Sequence, residues 1–188
     1  MEELDTDRLR VRRFRPSDAA GLYAYLSNPE AVRFEPYGVQ SEQDCRRLAA
    51  ERSVDPAFWA VCLRGTGELV GNLYLSLQEP KAWRTYELGY VFNPAHWGRG
   101  YATEAAAALV SACFASGAHR VIARCNPQNE PSWRLLERLG FRREGHFLQS
   151  ASFTRDDAGE PVWHDAYLYA TLADEWVTTP LLRLEAST

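Results

Sequence analysis

The stretch YVFNPAHWGRGYATEA, residues 90–105, decides how the rest of the chain is read. Tyr90, Val91 and Phe92 are aromatic or β-branched and suit a strand, and Asn93-Pro94 ends it because proline brings no N–H to a ladder. Gly98 and Gly100 then permit a tight turn with unshielded backbone amides. The turn runs straight into an alanine-rich helix whose first N–H groups have no internal acceptors. Together these parts make an anion cradle. A P-loop would need Lys-Ser or Lys-Thr after its last glycine, where this chain has Tyr101-Ala102. A dinucleotide fingerprint would need a third glycine, where it has Thr103, and an acid about 20 residues on, where only His119, Arg120 and Arg124 are titratable. Both are excluded.

Working outward, the strand that feeds the cradle spans residues 84–92, and the helix after it carries Ala102, Ala105, Ala106, Leu109, Val110, Cys113 and Phe114 as one apolar stripe, stopped by Gly117. Residues 120–125 form the next strand, parallel to the one before because a helical crossover joins them. Upstream, residues 58–63 and 68–77 make a hairpin about the Arg64-Gly65-Thr66-Gly67 turn. An opening strand holds Leu9 and Val11 on one side, and Pro16-Ser17-Asp18 supplies a cap for a first helix to about Ser27. Ser41 with Asp44 starts a second helix by a capping box in which Asp replaces the usual Glu or Gln. Downstream, a short helix from Asn129 ends at Gly140, and two long strands follow over residues 141–153 and 162–172. Residues 181–188 read as a loosely held tail.

At 188 residues the chain suits one domain over residues 1–188, with its core over about residues 5–177. The net charge of −4, with both signs interspersed, leaves no broad footprint for nucleic acid. Five arginines within the first fifteen residues alternate with Leu9, Val11 and Phe14, as on a strand with one wet face. Cys45, Cys62, Cys113 and Cys125 form no C-x-x-C pair, which suits reduced thiols and argues against a metal site. The charged N-terminus and the lack of any long apolar run predict a soluble cytoplasmic protein with no membrane span.

The sequence WGRGYATEA after a strand, NxxS at residues 129–132 and LGF at residues 139–141 together resemble the Gcn5-related N-acetyltransferase (GNAT) superfamily. The segments TDRLRVRRF, ELGYVFNP, REG after LGF, and WHDAYLYATLADEW resemble its RimJ/RimL branch, which acetylates protein N-termini. The resemblance covers roughly residues 5–177. It implies an α+β fold: a mixed, mostly antiparallel sheet of about seven strands, helices on both faces, and a parallel pair flanking an acetyl-coenzyme A site. It further implies an acetyl-coenzyme A co-substrate, an amine acceptor (a protein N-terminus or a small molecule) and, by analogy, a homodimer. Two other readings stay open: an acyl-coenzyme A sensor without catalysis, and a transferase for a larger acyl group such as succinyl.

Acetyl transfer requires that the diphosphate be held, the pantetheine arm aligned, the amine deprotonated and the thiolate protonated. The backbone N–H groups of Gly98, Arg99, Gly100, Tyr101 and Ala102 are expected to hold the diphosphate. The arm can add to a strand edge, for which Val91 and Phe92 are candidates, with Asn129 opposite. Asn129 is equally a helix N-cap ahead of Pro131. A strand rise of about 3.3 Å per residue puts Glu87 roughly 13 Å from Val91, towards the thioester, so Glu87 is the expected general base; it also suits a cross-strand pair. Many superfamily members protonate the thiolate with a tyrosine, and Leu136 holds that place here. Ser132 is left as the group able to face the sulfur, or as a structural serine at a helix start. Phe34 and Tyr37 fit the acceptor wall or ordinary loop packing, and Asp165 is a second acceptor contact.

Overall fold

A computed structural model of the chain describes residues 3–176, so the tail read over residues 181–188 lies outside the described residues. Eight strands form one sheet: β1 (Glu3–Asp5), β2 (Leu9–Arg13), β3 (Phe58–Leu63), β4 (Leu69–Leu77), β5 (Thr85–Phe92), β6 (Arg120–Cys125), β7 (Arg142–Arg155) and β8 (Pro161–Leu172). Their order is β1-β2-β3-β4-β5-β6-β8-β7, antiparallel throughout except for β5 and β6. The strand beyond the expected seven is β1, three residues too short to show a pattern. It is held by its antiparallel register with β2.

Helices cover both faces. On one, α1 (Ala19–Leu26) and α2 (Glu42–Val54) enclose a core of Phe14, Leu22, Tyr25, Cys45, Ala60 and Val91. On the other, α3 (Tyr101–Ala115) and α4 (Glu130–Arg138) pack against Leu73, Leu88, Phe92, Val121 and Tyr169. The α3 stripe read from sequence is the buried one: Ala105, Ala106, Leu109 and Val110 are all inaccessible. Full burial of a side chain such as Leu109 contributes about 1.5–3 kcal/mol. Alternation along β5 sends Val91 to the α1–α2 core and Phe92 to the α3 core. Gly71 on β4 makes room for this crossing, since a Cβ there would stand 2.6 Å from the Phe92 ring.

The N-terminal arginines are fixed internally. Arg12 pairs with Asp18 at 2.8 Å, both nearly inaccessible, and Arg10 pairs with Glu3 and Asp5. The Asp18 carboxylate also accepts from the Arg15 N–H at 2.8 Å. It is therefore turned back to the strand end instead of capping α1, which a 3-10 turn (Pro16–Asp18) introduces. The second cap forms as read: Ser41 Oγ accepts from Asp44 N–H, and the Asp44 carboxylate accepts from Ser41 N–H, each at 3.1 Å. One methylene fewer than Glu still closes the box.

Candidate active site

The site begins where the parallel pair fails. β5 and β6 are in register only at Thr85↔Arg120, Tyr86↔Val121 and Glu87↔Ile122, after which the two strands no longer pair with each other. On its other side β5 stays paired with β4 as far as Phe92. Asn93 N–H donates to the Val70 carbonyl at 2.9 Å, and in an antiparallel ladder the bonding direction alternates. Val91 and Gly89 therefore spend their backbone groups on β4, and Tyr90 and Phe92 turn theirs to the open side. The Phe92 carbonyl accepts from the indole N–H of Trp97 at 2.9 Å, which explains a tryptophan at the head of the loop. Tyr90 N–H, Tyr90 C=O and Phe92 N–H are left facing the gap. Above it lies a cavity of about 740 Å³, bounded by the turn at Trp97, the start of α3, the start of α4 and the loop between α1 and α2.

At one end of this cavity Gly98 and Gly100 adopt φ of +74° and +79°, a conformation that costs other residues about 1–2 kcal/mol. Glu104 N–H bonds Gly100 C=O at 3.0 Å, but the N–H groups of residues 98–103 have no acceptor among the described residues. Glu104 explains the loop's position: its carboxylate accepts from Thr6 Oγ1 at 2.6 Å, Arg8 N–H at 3.1 Å and Arg8 Nε at 2.7 Å. Arg8 in turn donates to the Arg99 carbonyl at 2.9 Å and lies over the Tyr101 ring. The β1–β2 turn thus braces the cradle from behind. His96 also lines the cavity; its Nε2 is 3.0 Å from Glu68, and its buried Nδ1 has no partner among the described residues.

Deeper in, Asn129 caps α4 by accepting from Ser132 N–H at 3.3 Å, and both residues line the cavity. Ser132 Oγ lies 3.0 Å from the Tyr90 hydroxyl, which also reaches the Ser132 carbonyl at 3.1 Å. Burial drives the Tyr90 phenol pKa upward, and the Ser132 hydrogen bond offsets only part of that, so the phenol keeps its proton. Leu136 is wholly buried in the core and does not line the cavity. Phe34 lines the cavity, with Arg33 over its ring. Tyr37 does not line it; it packs against the α1–α2 core.

Two further expected residues stand elsewhere. Glu87, at the last register pair, is bound to Arg124 of β6 at 2.7 Å and is not part of the cavity wall. Asp165 accepts from Gln149 N–H at 2.8 Å and from His146 Nε2 at 3.0 Å, which lowers its pKa and holds it in the β7–β8 hairpin away from the cavity. The carboxylates that line the cavity are Glu30, which is exposed, and Glu35, which is partly buried. Burial pushes the Glu35 carboxyl up to about 7, with the Tyr37 hydrogen bond and the Arg52 charge pulling the other way.

The profile of the acetyltransferase (GNAT) domain matches residues 8–142. The chain belongs to the GNAT acetyltransferase family. It is 36% identical over 177 residues to the N-acetyltransferase YnaD of Bacillus subtilis, covering 92% of this chain and 98% of that one. It is 30% identical to the ribosomal-protein-serine acetyltransferase of Escherichia coli, over 74% of this chain and 76% of that one. A GNAT-family acetyltransferase from Bacillus anthracis superposes with a TM-score of 0.81 at 34% identity, covering 92% and 99% of the two chains. GNAT acetyltransferases draw their acetyl group from acetyl-coenzyme A. The open parts of this GNAT domain fit that donor: unpaired amides for a diphosphate, and an unpaired strand edge for the amides of a pantetheine arm. No group of three or more His, Cys, Asp or Glu able to hold a metal occurs among the described residues, and no helix there is long and apolar enough to cross a membrane.

Proposed function

We propose that this enzyme transfers acetyl directly from acetyl-coenzyme A to a primary amine, a protein N-terminal α-amine or the amine of a small molecule, without an acyl-enzyme. The observation that carries the reading is the convergence, in one cavity, of a bare amide run, an open strand edge and a Ser132–Tyr90 hydroxyl pair. The N–H groups of Gly98, Arg99, Gly100, Tyr101 and Ala102 bind the diphosphate. Tyr90 and Phe92 present the strand edge to the pantetheine amides, Val91 contributes side-chain wall, and Asn129 faces them from α4. The amine attacks the thioester carbon and the C–S bond breaks; Ser132 Oγ–H protonates the sulfur, Tyr90 O–H resupplies Ser132, and the proton shed by the acylated nitrogen restores Tyr90. All four cysteines are buried and unpaired, which fits a reducing cytoplasm and leaves no exposed thiol for an acyl intermediate.

The ribosomal-protein-serine acetyltransferase relative supports an α-amine acceptor, and Phe34 at the cavity mouth suits a peptide or a flat amine. Glu87 was the base expected from sequence; its ion pair with Arg124 fits an anchor at the point where the strands part better than proton transfer. The buried Leu136 favours one second reading, a coenzyme A sensor, against which the Tyr90–Ser132 pair supplies an alternative acid. Free-thiol release from acetyl-coenzyme A, measured with peptides beginning in serine or alanine and with spermine, tests the reading. Succinyl-coenzyme A serves as the competing donor. Tight donor binding with no thiol release from any amine would leave the sensor.

A further inference from the structure

Within that proposed function, on which this step rests, we infer that Glu35 is the group that takes the proton from the incoming ammonium. Among the described residues, the carboxylates lining the cavity are those of Glu30 and Glu35, and Glu30 is exposed. Glu35 sits in the loop between α1 and α2 and lines the same cavity as Tyr90, Ser132 and Asn129. Its charge bears on the Tyr90 phenol, which lines the same cavity.

A polar chain runs through the α1–α2 core, against which Tyr37 of the loop packs. Arg52, only 5% exposed, reaches from α2 to Asn72 of β4 at 3.2 Å, and the same Asn72 oxygen accepts from the Tyr25 hydroxyl of α1 at 2.7 Å. Phe14 and Phe58 flank the Arg52 guanidinium. Glu35 and the Arg52 charge both bear on Tyr37, whose own pKa is pushed up to about 12, chiefly by burial. The groups facing Glu35 are therefore Tyr37 from its own loop, Arg52 from α2 and Tyr90 from β5. Glu30, Arg33, His96 and Arg138 are the other ionisable groups of the cavity wall besides Tyr101. A carboxylate lodged between desolvation and a cation changes protonation near neutral pH, where a general base is most effective.

The step balances as follows. The ammonium N–H bond breaks and an O–H bond forms on Glu35. The freed lone pair makes the N–C bond as the C–S bond breaks, the sulfur takes its proton from Ser132, the second proton shed by the nitrogen restores the Ser132–Tyr90 pair, and Glu35 returns its proton to water. Phe34, with the Arg33 guanidinium over its ring, contributes apolar surface to the cavity wall. The acceptor is thus an amine that arrives charged and must be desolvated to react.

The test measures the pH–rate profile of the wild type, Glu35→Gln and Glu87→Gln, using the seryl and alanyl peptides and spermine, with acetyl-coenzyme A affinity measured by calorimetry. In Glu35→Gln, kcat is expected to fall about 100-fold and the acidic limb to disappear, with donor affinity within about twofold of wild type. Glu35→Asp is expected to recover part of the rate and to restore the limb. A limb kept in Glu35→Gln and lost in Glu87→Gln overturns the assignment while leaving the transfer reaction standing. A wild type that binds donor and acetylates none of these amines overturns the proposed function, and this inference with it. Titration of 13C-labelled glutamate in the wild type gives a readout without turnover. A carboxyl resonance titrating near pH 7 and missing in Glu35→Gln supports the assignment, and its absence from the wild type refutes it.

Discussion

Replacing Glu35 by glutamine should make the protein more stable, and by an amount that depends on pH. In the unfolded chain this carboxyl titrates at its ordinary value of 4.5, and in the folded protein burial raises it to about 7. Below pH 4.5 both states carry the proton and the group contributes nothing. Between the two values the folded protein keeps a proton that the unfolded chain has released, so stability falls as pH rises; above 7 the loss is complete. A shift of that size corresponds to about 3 kcal/mol. A glutamine amide fits the Tyr37–Arg52 pocket less well than the carboxylate, an offset of about 1 kcal/mol. Urea unfolding at pH 8 should therefore show Glu35→Gln more stable than wild type by about 2 kcal/mol, a rise in Tm of about 4–8 °C. At pH 4.5 the order should reverse or the gap vanish. A difference independent of pH, or a variant less stable at pH 8, would refute the claim that the folded protein holds this carboxylate against its preference.

Further outcomes follow from the rest of the site. Gly98→Val and Gly100→Ala force a side chain into positive φ and shadow the free amides, so acetyl-coenzyme A affinity by calorimetry should drop about 10-fold or more with the fold retained by circular dichroism. Ser132→Ala and Tyr90→Phe should each lower kcat by about 10- to 100-fold with donor affinity little changed; because the two hydroxyls act as one unit, the double variant should be scarcely worse than either single one. Glu104→Gln weakens the bonds to Thr6 and Arg8 that brace the cradle, and should cost about 1–2 kcal/mol in urea unfolding and weaken donor binding several-fold. Asp18→Ala strands the nearly inaccessible Arg12 and should cost about 3–5 kcal/mol.

What could be read from sequence was local. The strand, turn and α3 follow from residues adjacent in the chain, as do the β3–β4 hairpin and the Ser41 cap. What could not be read was set by distant partners. β1 is recognisable only beside β2. The parting of β5 from β6 after Glu87 has no marker in either strand, yet it decides that Tyr90 and Phe92, and not Val91, offer backbone to the gap. Tyr90 and Ser132 are 42 residues apart, and neither looks unusual until α4 folds over β5. Alternation placed Asp165 correctly with Tyr167 on one face of β8, but the register shift between Phe147 and Ala151 brought Gln149 onto its carboxylate. Glu35 lies in an irregular loop, and its perturbation comes from burial and from Arg52, 17 positions away. Only the E-P-Y run of small context was visible, and it resembles any other loop.

A sheet that comes apart in its middle has a weakness that outer strands are normally shaped to avoid: a stretch of main chain ready to adopt a stranger. Without its thioester the enzyme keeps that seam unstitched, and amide exchange at Tyr90 and Phe92 should outpace that at Gly89 and Val91. The donor then acts as a temporary ninth strand as well as a reagent, knitting the two halves of the molecule each time it docks.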